Sequence, residues 1–346
     1  MTDRSDLQLL RQLQRLLDEG QFSATYKYAL LQALADLAVE RPPDPDGGLR
    51  LPIAAIAEKF LEYYWRQALP FRAPQDKAPA AILRQNTGKQ AAIIRELADT
   101  RQRHDGLIAA ARADTQQWDE LRRKTAKVVR VMPLWKLQVI GRKPVEFLYQ
   151  KSEYRQRDDS IRLLPEAAAG LRQFHGLVTH LVRGAWVAQV RRIATNHKVL
   201  GATGSLADFL FGSDRAALDG FGTILRDHQS GRCFYCAGRV QGAGEVDHFV
   251  AWSRYPVDLG HNFVFACRTC NGAKRDYLAH PDHLRHWREQ NLDHSDALAE
   301  QFAAACLPHD AGRSRQVAEW AYEQGEVGGA HVWRAGNKDV LPFERG

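Results

Sequence analysis

The sequence predicts a mainly α protein with a small β-hairpin region and, toward its C-terminal end, a short strand–loop–strand–helix unit held by metal. Three observations predict it. Apolar residues recur at helical spacing over most of the chain. One stretch, about residues 128–149, is instead rich in β-branched and aromatic residues. Two Cys-x-x-Cys pairs then bracket a short segment. At 346 residues the chain exceeds the about 250–300 at which single cores stop growing, so it should divide. Four regions are expected: a helical one at 1–127, a hairpin and long-helix region at 128–228, a metal-stabilised unit at 229–290, and a helical extension at 291–346.

The elements follow in order. Leu9, Leu10, Leu13, Leu16 and Leu17 mark a first helix. A second spans about Ala24–Val39, with Tyr28, Leu31, Leu34, Leu37 and Ala38 on one face. The Pro- and Gly-rich stretch from Arg41 to Gly48 breaks the chain. A third helix from Pro52 to Gln67 carries Ile53, Ile56, Phe60 and Tyr64 on one face. Helical pattern returns at Lys89–Arg103 and Leu107–Lys127. Val128–Ile140 and Pro144–Tyr149, separated by Gly141-Arg142-Lys143, read as a hairpin, with Ile161–Leu164 as a third strand. One long helix is expected from Pro165 to Ala194, with Phe174, Val178, Leu181 and Ala185 on one side. Shorter helices fit Ser205–Phe211, Arg215–His228, Asp282–Gln290, Asp296–Ala305 and Gly312–Glu323.

Composition excludes some classes. With 45% hydrophobic and 26% charged residues, the chain is ordinary globular protein rather than a disordered one. It has no run of about 20 apolar residues to span a membrane. Met1–Asp6 lacks the basic-then-apolar pattern of a signal peptide, so a cytoplasmic location is expected. Lys and Arg number 48 against 41 Asp and Glu, a formal charge of +7. That excess suits a nucleic-acid partner, or is only a mildly basic surface. The N-terminal apolar faces are expected to form core, with a protein partner as the alternative. Of five cysteines, four form the two pairs and Cys306 stands apart. In a reducing compartment such pairs favour metal over disulfide.

Cys233-Phe-Tyr-Cys236 and Cys267-Arg-Thr-Cys270 give a closed four-thiolate shell suited to a structural Zn²⁺, with no open position for chemistry. The alternative is two redox or incidental pairs. Between them lie Glu245-Val-Asp-His248, a loop ending at His261-Asn262, the apolar run Phe263–Ala266, and Asn271-Gly-Ala-Lys-Arg-Asp276 beyond the second pair. This reads as strand, loop, strand, helix. So short a segment cannot bury a sufficient core, and the metal substitutes for one.

Asp-His, then Asn before a short apolar strand, then Asn just inside a helix, resembles the ββα-metal fold of HNH endonucleases, where a four-cysteine knuckle is a frequent addition. The resemblance covers about Gly231–Asp276. It implies that His248 is the general base, that Asp247 holds a catalytic divalent ion, and that Asn262 braces the loop carrying the base. The third position, commonly His, is Asn271 here. That variant resembles the HNH domains of RNA-guided CRISPR effector nucleases, in which Asp and Asn hold one Mg²⁺. Oxygen ligands suit Mg²⁺ or Mn²⁺. Chains with a helical front and a zinc-stabilised HNH unit behind it are similar to nucleases of phage-defence and restriction systems.

The chemistry needs these residue types. An imidazole with an ordinary pKa near about 6.5 accepts a proton from water at neutral pH, and a divalent cation relieves charge on phosphate and leaving oxygen. An isolated His would more often be a packed side chain; its setting beside Asp247, between the cysteine pairs, favours catalysis. Lys274, Arg275 and Arg254 are the candidate phosphate contacts, with Trp252, Arg232 and Arg239 nearby; the alternative is a solvated basic surface. His261 is a secondary candidate in the site. Upstream, Arg122, Arg123, Lys124, Lys127, Arg130, Lys136, Arg142 and Lys143 interleave with Trp135 and Tyr149, a second track or simply an exposed helix end and hairpin. Arg191, Arg192 and Lys198 form a similar cluster. The expected activity is hydrolysis of DNA. The alternatives are an RNA endonuclease and a zinc-containing module that binds nucleic acid without cutting it.

Overall fold

The computed structural model describes residues 2–72, 80–200, 206–212, 218–293, 295–335 and 340–343. The chain forms two compact units, Met1–Gly212 and Ser213–Gly346. The expected boundaries after residues 127, 228 and 290 therefore fall inside units rather than between them.

Unit 1 is helical: α1 (Thr2–Glu19), α2 (Tyr26–Glu40), α3 (Ile53–Gln67), α4 (Ala92–Arg103), α5 (Ile108–Ala113), α6 (Thr115–Val131), α7 (Pro133–Lys136), α8 (Pro165–Gln173), α9 (His175–Arg192), α10 (His197–Leu200) and α11 (Leu206–Phe211). Its strands are short: β1 (Leu49–Pro52), β2 (Pro70–Phe71), β3 (Ala81–Ile82), β4 (Val139–Ile140), β5 (Lys143–Pro144) and β6 (Ser160–Leu163). The core centres on α2, where every residue from Tyr28 to Val39 is buried. A helix apolar nearly all round needs partners on every side, and α3, α7, α8 and α9 supply them. The face Ile53, Ile56, Phe60 and Tyr64 of α3 is fully buried, as its spacing predicts.

Four expectations in unit 1 need correction. The region Leu107–Lys127 is two helices, split at Asp114, whose carboxylate caps α6 by accepting the Gln117 N–H at 3.1 Å. The proposed hairpin shrinks to β4 and β5, two residues each, because α6 continues to Val131 and α7 follows. Leu121, Thr125 and Val129 are buried along one stripe of α6; packing of that stripe overrides the β preference of the valines. The strand at 160–163 pairs along its length with β1, Leu49 opposite Leu163, and meets the expected second hairpin arm only at the Tyr149–Leu163 bridge. The long helix is likewise broken at Phe174 (φ −100°, ψ 22°) into α8 and α9, each packed against α2. Leu181, expected on the inner face, is exposed.

Unit 2 contains α12 (Asp219–His228), β7 (Glu245–His248), β8 (Phe263–Ala266), α13 (Arg268–Lys274), β9 (Leu278–Ala279), α14 (Pro281–Trp287), α15 (Ser295–Ala304), α16 (Ala311–Val327), β10 (His331–Trp333) and β11 (Leu341–Pro342). Part of the expected Arg215–His228 helix lies outside the described residues. The strand–loop–strand–helix order holds: β7 and β8 are antiparallel, Glu245 opposite Ala266 and His248 opposite Phe263, and α13 follows at once. Phe221 of α12 meets Phe263 at 4.7 Å and Phe302 at 5.5 Å, while Phe249 stacks on Trp287 at 4.7 Å. A three-stranded sheet, ordered β11-β10-β9, completes the unit; its two- and three-residue strands carry too little alternation to be foreseen. Among the described residues no helix is long and apolar enough to cross a membrane.

Candidate functional site

The four thiols of Cys233, Cys236, Cys267 and Cys270 converge, their sulfur atoms all within 4.8 Å of one another. Local backbone brings this about. Cys233 donates its N–H to Gly238 O at 2.9 Å and accepts that of Ala237, which takes a left-handed φ of 56° to close the knuckle. Cys267 sits at the N-cap of α13, and Cys270 lies inside that helix. Burial pushes the thiols of Cys233 and Cys270 up. At Cys267 burial acts the same way but is outweighed by hydrogen bonds from the Cys270 backbone and the other cysteines, which draw the thiol down. A cluster of this kind can hold a metal ion such as zinc. Four thiolates on tetrahedral zinc, at about 2.3 Å each, lie close to this spacing.

Strand alternation separates the functional side chains of β7. Asp247 is buried, and its Oδ2 accepts the Tyr235 hydroxyl at 2.5 Å and pairs with Lys274 Nζ at 3.0 Å. Burial, and then the Asp247 charge, raise the Tyr235 phenol well above its ordinary range, so it stays a donor. Lys274 is fully buried and also donates to His248 O at 2.8 Å. It cannot reach a phosphate, which corrects its expected place among the backbone contacts. Glu245, two residues before Asp247 and on the same side of the strand, accepts the Asn271 Nδ2 amide at 2.7 Å. That bond turns the amide so that its oxygen is free to act as a ligand. Glu245 and Asp247 thus face successive turns of α13.

His248 has different neighbours. Its Nε2 lies 2.8 Å from Asp258 Oδ1, and its ring contacts Phe263 and Trp252. An ionised carboxylate only accepts, so Nε2 carries the proton and Nδ1 is the acceptor nitrogen of the neutral ring. Nδ1 has no hydrogen-bond partner among the described residues. Asn262 clamps the loop that follows: its Oδ1 accepts the Val250 N–H at 2.9 Å, its Nδ2 donates to Val250 O at 3.0 Å, and its carbonyl accepts the Phe249 N–H at 2.7 Å.

Other candidates lie apart. His261 is buried against Phe302 and His309, with Nε2 3.4 Å from Ser295 O; burial lowers its pKa. It belongs to the packing against α15, not to the His248 cluster. Arg275 is exposed, and Arg254 is half-buried with its Nε on Asp276 O at 3.2 Å. Upstream, Arg122 pairs with Asp119, Lys124 with Glu96 and Glu120, and Arg130 with Asp159, while Tyr149 is buried. Three of the eight cations of the second basic track are therefore paired, and the others have no ion pair among the described residues. Sequence reasoning did not single out Glu245, Tyr235 or Asp258. The period-two spacing Glu245–Asp247 was a usable signal for the first. Asp258 has none, because its contact depends on how the loop folds back.

Against known families, a model described as a domain of unknown function, DUF8808, matches residues 6–210. That is more than half of the chain. The protein belongs to the DUF8808 family. The DUF8808 match coincides with unit 1 and stops before the four-cysteine cluster. No curated protein and no solved structure matches the chain.

Proposed function

We propose that unit 2 is an HNH-type, metal-dependent endonuclease acting on DNA. One observation carries the reading. His248 stands at a strand end with its Nε2 held by Asp258 and its Nδ1 unpartnered, while Glu245, Asp247 and Asn271 supply oxygen donors from the adjoining strand and helix. In this reading His248 Nδ1 takes a proton from the attacking water. Asp258 keeps the ring oriented and steadies the imidazolium that results, as an orienting carboxylate does in other base–carboxylate pairs. Asn262 fixes the loop on which that geometry depends. Asp247 and Asn271, joined by Glu245, would hold Mg²⁺ or Mn²⁺; the all-oxygen set fits a hard cation that keeps several waters. When bound, such an ion neutralises charge on the phosphate and the leaving oxygen. A Zn²⁺ on the four cysteines would be structural, its shell being closed.

A second reading is favoured by a specific contact. Asp247 already has a cation, Lys274, at 3.0 Å, which suits a rigid binding module that does not cut. Incubation of supercoiled plasmid and of RNA with Mg²⁺, Mn²⁺ or neither separates the readings. Nicked or linear DNA appearing only with the ion supports the nuclease. Binding without any cleavage supports the module, and cleavage confined to RNA reassigns the substrate.

A further inference from the structure

Unit 1 gathers cations where it has no carboxylates. Residues 20–28, 83–95 and 167–206 contain no Asp or Glu, and hydrogen bonds join these three segments in a ring. Thr25 N–H donates to Gln85 O at 2.9 Å and Thr87 N–H to Ser23 O at 3.1 Å, linking the first to the second. Asn196 accepts the Arg84 N–H at 2.7 Å and donates to Arg84 O at 2.9 Å, linking the second to the third. Gln189 donates to Phe22 O at 2.9 Å, linking the third back to the first.

Lys27, Arg84, Lys89, Arg191, Arg192 and Lys198 stand on this junction. Lys89, Arg191, Arg192 and Lys198 are exposed. None of the six has an ion pair among the described residues: the Arg84 guanidinium donates to Gly88 O, and the Lys27 ammonium lies over the Phe22 ring at 5.2 Å. Other cations of the same unit are paired, among them Arg112 with Glu58 and Glu62, Lys59 with Glu40 and Glu62, and Arg162 with Asp44 and Asp46. Helix dipoles account for Arg191 and Arg192, at the C-terminal end of α9. They do not account for Lys27, which lies in the first turn of α2, where a cation is disfavoured. Burial, with repulsion from Lys136, pulls the Lys27 ammonium down to about 8. No ion pair inside the unit neutralises these six side chains, which leaves their charge available to an outside anion.

We propose that this junction of unit 1 binds the sugar–phosphate backbone of duplex DNA, a deepening that rests on the nuclease reading of unit 2. The cations are spread over three segments, as suits an extended polyanion rather than one small anion. Exposed Ser23 and Thr195 add neutral donors of the kind that contact phosphate oxygens.

The test uses the full-length, zinc-loaded protein in magnesium-free buffer and a fluorescent duplex of about 30 base pairs, with anisotropy read between 50 and 200 mM salt, the range over which phosphate contacts are most visible. Wild type is compared with the variant Lys89→Ala/Arg191→Ala/Arg192→Ala/Lys198→Ala. The slope of log affinity against log salt should fall by about 3 to 4, since each lost contact removes about 0.9. The melting temperature should stay unchanged, because all four side chains are exposed. An unchanged slope and affinity would overturn the assignment. So would a wild type that does not bind duplex, or that binds single-stranded RNA more tightly. Plasmid cleavage with Mg²⁺, read separately on wild type, keeps the two readings apart. Loss of slope without any cutting retains the junction and removes the nuclease; cutting with an unchanged slope does the reverse.

Discussion

Asp258 decides which nitrogen of His248 can act as a base, because a carboxylate on Nε2 leaves the lone pair on Nδ1. Asp258→Ala should therefore lower the cleavage rate by about 10- to 100-fold, the usual cost of losing an orienting partner, with little change in substrate affinity. Asp258→Asn should retain more activity, since its amide oxygen still accepts from Nε2. Single-turnover rates beside DNA affinity check both; an Asp258→Ala enzyme as fast as wild type would remove the carboxylate from the account. At this scale the sequence was informative where a residue's role follows from its neighbours in the chain. Asp247, His248 and Asn262 were singled out by the resemblance of their segment to the HNH motif, and the structure puts Asp247 and His248 on one strand with Asn262 bonded to the loop after it. Lys274 was misassigned because a lysine four residues past a cysteine of the cluster reads as surface. Only the packing of α13 on β7 shows that it is buried against Asp247 and the His248 carbonyl.

Elements supply the rigidity on which those contacts depend. Two fastenings hold α13 to β7 and the knuckle: the cysteine cluster and the buried Lys274–Asp247–Tyr235 group. Removing either should be felt by the whole unit. Lys274→Ala leaves a buried carboxylate without its cation and should cost about 3–5 kcal/mol. Adding Asp247→Asn should recover part of that loss, as denaturant unfolding would show. Cys267→Ser should lower zinc content and abolish cooperative unfolding of unit 2, because structural zinc contributes folding free energy directly. Soluble, folded protein with no zinc by elemental analysis would contradict this. The helix α3 could be read from apolar spacing, since one face carries most of its buried residues, whereas α2 is buried all round and its spacing marked only one of its faces. The hairpin at 128–149 was overread because local β preference yielded to the buried stripe of α6. The β9–β11 sheet was invisible because its strands are too short to show a period.

At the scale of the whole molecule, the candidate site and the family match divide between the two units. The DUF8808 match lies on unit 1, and the cysteine cluster with His248 lies on unit 2. On the proposed reading unit 2 carries the reaction, while unit 1 carries the unpaired cations of the three-segment junction. The formal charge of +7 understates this, because the excess is unevenly distributed. The salt dependence of DNA binding should accordingly follow unit 1 cations, whereas the chemical step should follow His248. The most direct test of the central claim is therefore single-turnover cleavage of supercoiled plasmid with Mg²⁺ by wild type and His248→Ala at equal zinc content. The account predicts that the variant binds DNA as tightly as wild type but cuts at least about 10²-fold more slowly, the low end of what a positioned base contributes. Cleavage by His248→Ala at the wild-type rate would contradict it.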